Sequence, residues 1–140
     1  MSLLDLIPEE EVTRDRLREL LAELDLPTEV DQDGDLRVTT DVGTHAYVAL
    51  DERRRLIKFY TAYRLREDAS VAEKLNLANT LNDEVILVRF CVVGTSILVA
   101  DYFLSYDRGL LPHQFLRSLS WFSQVAVQAV TAYDEDNIVL

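Results

Sequence analysis

Between Val85 and Leu104 the chain carries two runs, Val85 to Val93 and Ile97 to Leu104, that are apolar at almost every position and are joined through Gly94-Thr95. In extended backbone successive side chains point to opposite faces, so a strand with one face on a core and the other in water alternates apolar and polar residues. These two do not. The first run sets Val85, Leu87, Arg89, Cys91 and Val93 against Ile86, Val88, Phe90 and Val92. The second sets Ile97, Val99, Asp101 and Phe103 against Leu98, Ala100, Tyr102 and Leu104. Both faces are therefore expected to be buried. A chain of 140 residues is the size of one ordinary domain and has too few elements to cover both sides of this hairpin. Large apolar patches on a folded domain mark an interface, and a second copy is the most economical partner. The N-terminal segment Leu3 to Ile7, the tail Ile138-Val139-Leu140 or a client protein would be the other ways to cover it.

The rest of the chain reads as short regular elements. Leu17, Leu20, Leu21 and Leu24 follow helical spacing, so a helix is expected from about Arg14 to Asp25, with Thr13 as N-cap and Pro27 beyond its end. From Thr28 the period changes to two. Leu36, Val38 and Thr40, then Ala46, Val48 and Leu50 after the turn at Asp41-Val42-Gly43, then the run Leu56 to Tyr63, predict a three-strand meander. Ser70-Val71-Ala72-Glu73 is a capping box. It opens a second helix with Val71, Leu75, Ala78 and Leu81 on one face, ending near Asn82-Asp83. After the two-sided hairpin, Leu111-Pro112 opens a last helix running to about Tyr133. Along it Trp121 and Val125 lie off the stripe of Phe115, Leu119, Phe122, Ala126 and Ala129, and no charge occurs from Ser118 to Tyr133. The order αβββαββα predicts a single α+β domain over residues 13–133, with a five-stranded antiparallel sheet, helices packed on it and tails at 1–12 and 134–140.

Charge narrows the function. The formal net charge of −11 repels phosphate backbones and anionic membranes, so neither direct nucleic-acid binding nor a membrane role is expected. The first twelve residues lack the basic region and apolar length of a secretory signal, and no apolar run approaches the ~20 residues of a membrane span. A cytoplasmic protein is expected. With one cysteine and two histidines there is little material for a disulfide framework, a Cys/His metal site or a His-centred active site, and no cofactor is expected.

Few single residues carry a chemical signal. Asp31-Gln32-Asp33-Gly34-Asp35 resembles a calcium loop, but counted from Asp31 its Gly falls at the fourth position and Val42 stands where the bidentate Glu belongs. It reads as an Asp-Gly turn. Cys91 would be a nucleophile only as a thiolate, and its mid-strand apolar setting makes it a core or interface thiol. His45 and His113 have no partner at ligand spacing. Arg53-Arg54-Arg55 at a hairpin tip reads as a solvated turn, or as a contact for an acidic partner. Asn76, Asn79 and Asn82 mark a hydrated helix face, or a polar seam that fixes dimer register. Arg89 and Asp101 are the charges stranded in apolar strands. A two-residue Gly94-Thr95 loop would send them to opposite faces, whereas a three-residue loop would set them directly opposite each other. Turn chemistry favours the first register. The penalty for an unsatisfied buried carboxylate favours the second.

The element order, the helix ending in Leu81-Asn82, Arg89-Phe90 in the following strand and the entry Gly109-Leu110-Leu111-Pro112 to the last helix together resemble the YbjN family of bacterial sensory transduction regulators, whose fold is similar to that of the class I type III secretion chaperones. The resemblance implies a small, acidic, cytosolic bacterial protein that forms homodimers and binds other proteins without catalysis. Leu87, Arg89, Cys91, Leu98, Val99, Asp101, Tyr102 and Trp121 are then the expected dimer or partner contacts. Arg53, Arg54, Arg55, Asn76 and Asn79 would add polar ones. The competing reading is a small-molecule sensor or enzyme with a pocket between sheet and helices, built on Asp101, Tyr102 and Cys91.

Overall fold

Three α-helices and six strands follow one another among residues 5–40 and 43–140, which the computed structural model describes. They are α1 (Arg14–Glu23), β1 (Thr28–Val30), β2 (Leu36–Thr39), β3 (His45–Asp51), β4 (Leu56–Arg64), α2 (Val71–Glu84), β5 (Arg89–Val93), β6 (Ile97–Ser105) and α3 (Pro112–Tyr133). The strand order is β1-β2-β3-β4-β6-β5. The class is α+β, as expected, with one strand more than the five read from the sequence. The extra strand is β1, whose three residues are too few to show an alternation. It pairs antiparallel with β2, Glu29 opposite Arg37, and an ion pair joins those two side chains at 3.5 Å.

The chain forms two compact units. The first comprises the described residues up to Phe59 together with Phe103–Ser123. Thr13 caps α1 by accepting from the Arg16 N–H at 3.1 Å, and Leu17, Leu20 and Leu21 are buried. The helix ends two residues sooner than expected, leaving Leu24 exposed. Leu36, Val38, Ala46, Val48, Ile57 and Phe59 supply the buried side of the strands. Phe59 is the aromatic centre, its ring centroid 5.7 Å from that of Phe115 and 6.4 Å from that of Phe122. The N-terminal segment belongs to this unit: Ile7 is buried and pairs with Leu110 through two main-chain hydrogen bonds of 2.8 Å. Two residues of the expected turn, Asp41 and Val42, and Leu3 and Leu4 of the N-terminal segment lie outside the described residues.

The second unit comprises Tyr60–Tyr102 and Gln124–Leu140. The capping box of α2 forms, Glu73 N–H donating to Ser70 Oγ and Ser70 N–H to Glu73 Oε1, each at 3.0 Å. These bonds to Ser70 hold the Glu73 carboxyl below its ordinary range. A group with a depressed folded pKa contributes stability above its unfolded pKa and loses it as pH falls through the folded one. The melting-temperature gap between wild type and Glu73→Gln is therefore expected to be widest at neutral pH and to close below about pH 4, near the unperturbed Glu value. A gap independent of pH would count against the box.

The buried face of α2 is rotated from the expected one. Lys74, Leu77, Ala78 and Leu81 face inward, while Val71 and Leu75 are exposed. Lys74 is the residue that the apolar pattern concealed: its stem is buried and its ammonium donates to the Thr95 carbonyl in the β5–β6 loop. The helix also runs on to Glu84, and Leu87 adopts a left-handed φ of 71°. For that reason β5 begins at Arg89 instead of Val85.

Candidate interaction surface

The register of the β5–β6 hairpin decides which side chains share a face. Arg89 is opposite Asp101, Cys91 opposite Val99 and Val93 opposite Ile97, so the loop has three residues, with Gly94 at a φ of 62°. Charge pairing prevails over the preferred two-residue turn. Arg89 Nε and Nη2 donate to the two carboxylate oxygens of Asp101 at 3.0 and 2.8 Å. The hydrogen bonds it donates to Asp101 raise the Arg89 pKa. The pair is lopsided: the Asp101 side chain is 6% exposed and that of Arg89 65%. Arg89→Ala leaves a shielded carboxylate without its counter-ion and is expected to destabilise by about 2–3 kcal/mol, the low side for a buried pair because the guanidinium meets solvent. Denaturant titration should show much of that stability regained in Arg89→Ala/Asp101→Ala.

One side of this hairpin is core: Phe90, Leu98 and Ala100 are buried. The other side carries Cys91, Val93, Ile97 and Val99, of which Cys91, Val93 and Ile97 are exposed and Val99 half-buried. The expectation that both faces are buried therefore fails within one copy. Ile7 pairs with Leu110 and Val139 with Leu65. Among the expected contacts, Leu98 is a correction: it is 0% exposed and belongs to the core. Arg89, Cys91, Val99 and Asp101 do share the open face. Leu87 is exposed, but in the α2–β5 loop. Tyr102 is half-buried and points to the opposite side from Asp101, being its neighbour in the strand. The grouping of Asp101, Tyr102 and Cys91 as a pocket therefore does not assemble. Trp121 is half-buried on α3.

The basic turn is largely spoken for. Arg55 pairs with Glu9, and Arg54 lies 3.9 Å from Asp51, leaving Arg53 exposed. The Arg108 backbone N–H and the Arg55 guanidinium hold the Glu9 carboxyl below its ordinary range. Asp31 Oδ1 accepts from the Asp33 and Asp35 N–H groups, each at 2.9 Å, so this carboxylate closes the turn between β1 and β2. Asn76 and Asn79 are exposed.

Asn82 does something the sequence did not suggest. It reaches from α2 to the outermost strand, where its Nδ2 donates to the Phe90 carbonyl and its Oδ1 accepts from the Phe90 N–H, both at 2.8 Å. The side-chain amide thus supplies what a further strand would supply. Unpaired edges invite strand addition, and here the N–H of Val88 is likewise taken, by Ile86. Asn82→Ala is expected to destabilise by about 1–3 kcal/mol, the penalty for leaving a donor and an acceptor unpaired. It should also raise the rate of thioflavin-positive aggregation on mild heating, whereas Asn79→Ala should do neither.

Association by adding a strand to β5 is therefore obstructed, and the open apolar area is a sheet face. This is an α+β domain with an exposed apolar sheet face. The chain belongs to the YbjN family: the family model, described as "Putative bacterial sensory transduction regulator", matches residues 13–135. The fold is similar to that of a solved structure described as "Crystal structure of YbjN, a putative transcription regulator from E. coli", with a TM-score of 0.78 at 18% identity, over 92% of this chain and 96% of that one. No curated protein matches the chain. No helix among the described residues is long and apolar enough to cross a membrane.

Proposed function

We propose that this regulator-family chain is a non-enzymatic, homodimeric protein-binding module of the bacterial cytosol, chaperone-like or a regulatory adaptor for a protein client. The observation that carries the reading is the open face of Cys91, Val93, Ile97 and Val99, whose neighbouring charges, Arg89 and Asp101, neutralise each other. Two copies at −11 each repel, so they would meet where the surface is apolar and charge-balanced. The E. coli relative is described as "a putative transcription regulator". For a chain this acidic, a comparable effect runs through a protein partner, since direct DNA binding depends on basic groups that neutralise phosphates.

Sedimentation velocity at micromolar concentration tests the dimer. Wild type is expected near twice the 16.0 kDa of one chain, and a monomer across that range would remove the reading. Pull-down from native cytosol with wild type and a face variant side by side would then identify the client.

A further inference from the structure

Asn82 brackets one outer strand of the sheet, β5, and β1 stands at the other end of the strand order. The register sets Thr28 opposite Val38, Glu29 opposite Arg37 and Val30 opposite Leu36. In an antiparallel pair alternate residues exchange main-chain bonds with the neighbouring strand, and the residues between them turn theirs outward. Thr39 N–H donates to the Pro27 carbonyl and Asp31 N–H to the Asp35 carbonyl, both at 2.9 Å, so Pro27, Glu29 and Asp31 face β2. The N–H and C=O groups of Thr28 and Val30 therefore point away from the sheet. Among the described residues nothing bonds to them. This edge, unlike that of β5, is open to another strand.

Val30 is a second sign that the sheet is unfinished here. Directly opposite residues share a face, so its side chain lies on the same side as that of Leu36, which is 0% exposed, yet Val30 is 39% exposed. A core-side aliphatic residue stands partly in water because no strand lies beyond it. A strand added at this edge would bond the outward main-chain groups and cover that side chain together.

Charge selects the occupant. From Glu19 to Leu36, through the end of α1, β1 and the turns on either side of it, the chain carries seven carboxylates and no Lys, Arg or His. Arg16 and Arg37 pair with two of them, Glu19 and Glu29, and the balance stays negative. A second copy would bring the same charge to a facing edge and be repelled. An extended segment carrying Lys or Arg would be attracted.

We propose that the outer edge of β1 is a strand-addition site for an extended basic segment of a partner protein. The segment's main chain pairs with Thr28 and Val30, an aliphatic side chain covers Val30, and its Lys or Arg side chains meet the surrounding carboxylates. The proposal rests on the protein-binding reading and names the chemistry of the client. The edge shares no residue with the hairpin face: sedimentation reads the dimer and peptide anisotropy reads the edge, so either can fail alone.

The probe is fluorescein-labelled Lys-Val-Lys-Val-Lys-Val-Lys, titrated by anisotropy against the full chain. Wild type is expected to bind it saturably, one peptide per chain. A copy of the peptide N-methylated along its whole backbone keeps charge and side chains but has no strand donors. It should bind at least about tenfold more weakly, the scale of one or two lost main-chain hydrogen bonds. Val30→Pro should weaken the unmethylated peptide by a similar factor, because proline removes an N–H that β2 does not use and is tolerated on edge strands. Equal affinity for the methylated copy, or wild-type affinity in a Val30→Pro chain with a native circular-dichroism spectrum, would reduce the contact to charge attraction alone and overturn the proposal. No binding to wild type, or equally tight binding of Glu-Val-Glu-Val-Glu-Val-Glu, would overturn it too. The methylated comparison uses wild type only, so the test stands even where Val30→Pro fails to fold. A dimer made monomeric by Val30→Pro would give the edge to a second copy and overturn the basic occupant.

Discussion

Leu98→Glu is expected to unfold the chain at neutral pH, while Val99→Glu, one position along the same strand, leaves it folded and separates the proposed dimer. The difference is the pleat. Leu98 is fully enclosed on the core side, and a carboxylate there would be desolvated with no cation opposite it: its partner across the hairpin is Val92. Burying an unpaired charge costs several kcal/mol even after it neutralises, comparable to the ~5–15 kcal/mol that holds a whole domain together. Val99 is half-buried on the open face opposite Cys91, so a carboxylate there reaches water in the free chain and would meet its own copy in the proposed dimer. Circular dichroism should show loss of structure for the first variant only, and sedimentation a 16.0 kDa species for the second. A folded Val99→Glu dimer would move the interface off this face.

Phe59→Ala should be the most damaging truncation in the first unit, at about 3–5 kcal/mol. Phe59 is fully enclosed, and the rings of Phe115 and Phe122 both lie within 6.4 Å of it, centroid to centroid. Its loss removes a large apolar side chain together with two aromatic contacts worth about 0.5–1.5 kcal/mol each. Partial collapse is limited because both remaining rings are fixed on α3. Thermal melts should show a drop of roughly 10–20 °C. Phe59→Leu, which keeps most of the volume, should lose less than half as much, and a Phe59→Ala loss below about 1 kcal/mol would mean that the centre lies elsewhere.

What could be read from the sequence followed from local rules. Thr13 and the Ser70/Glu73 box placed two helix starts, Pro112 placed the third, and the period-two runs placed the β2–β4 meander. The apolar run 85–88 misled because its composition suits a strand, whereas α2 ends at Glu84 with Val85 as an extended C-cap and the left-handed Leu87 lies in the loop before β5 starts at Arg89. Val71 and Leu75 were expected inside because aliphatic residues at helical spacing look like a core face; the buried Lys74 at the centre of the true face hid it. The open hairpin face was legible as an excess of apolar residues, but the register was not, since turn preference and charge pairing opposed each other. Asn82 was invisible as an edge cap because its partner, Phe90, is chosen by the way α2 packs against β5.

The bracket that Asn82 places on Phe90 also sets a clock. The outermost strand of a sheet ordinarily gives up its outward amide protons to deuterated solvent soon after transfer, by local fraying. The Phe90 amide points outward yet is held from a helix, so its exchange must wait until α2 lifts away. Val92, two residues on, shares the outward orientation without that bracket. Two amides on one five-residue strand should therefore exchange at rates set by different events, and the ratio between them would measure how often α2 leaves the sheet.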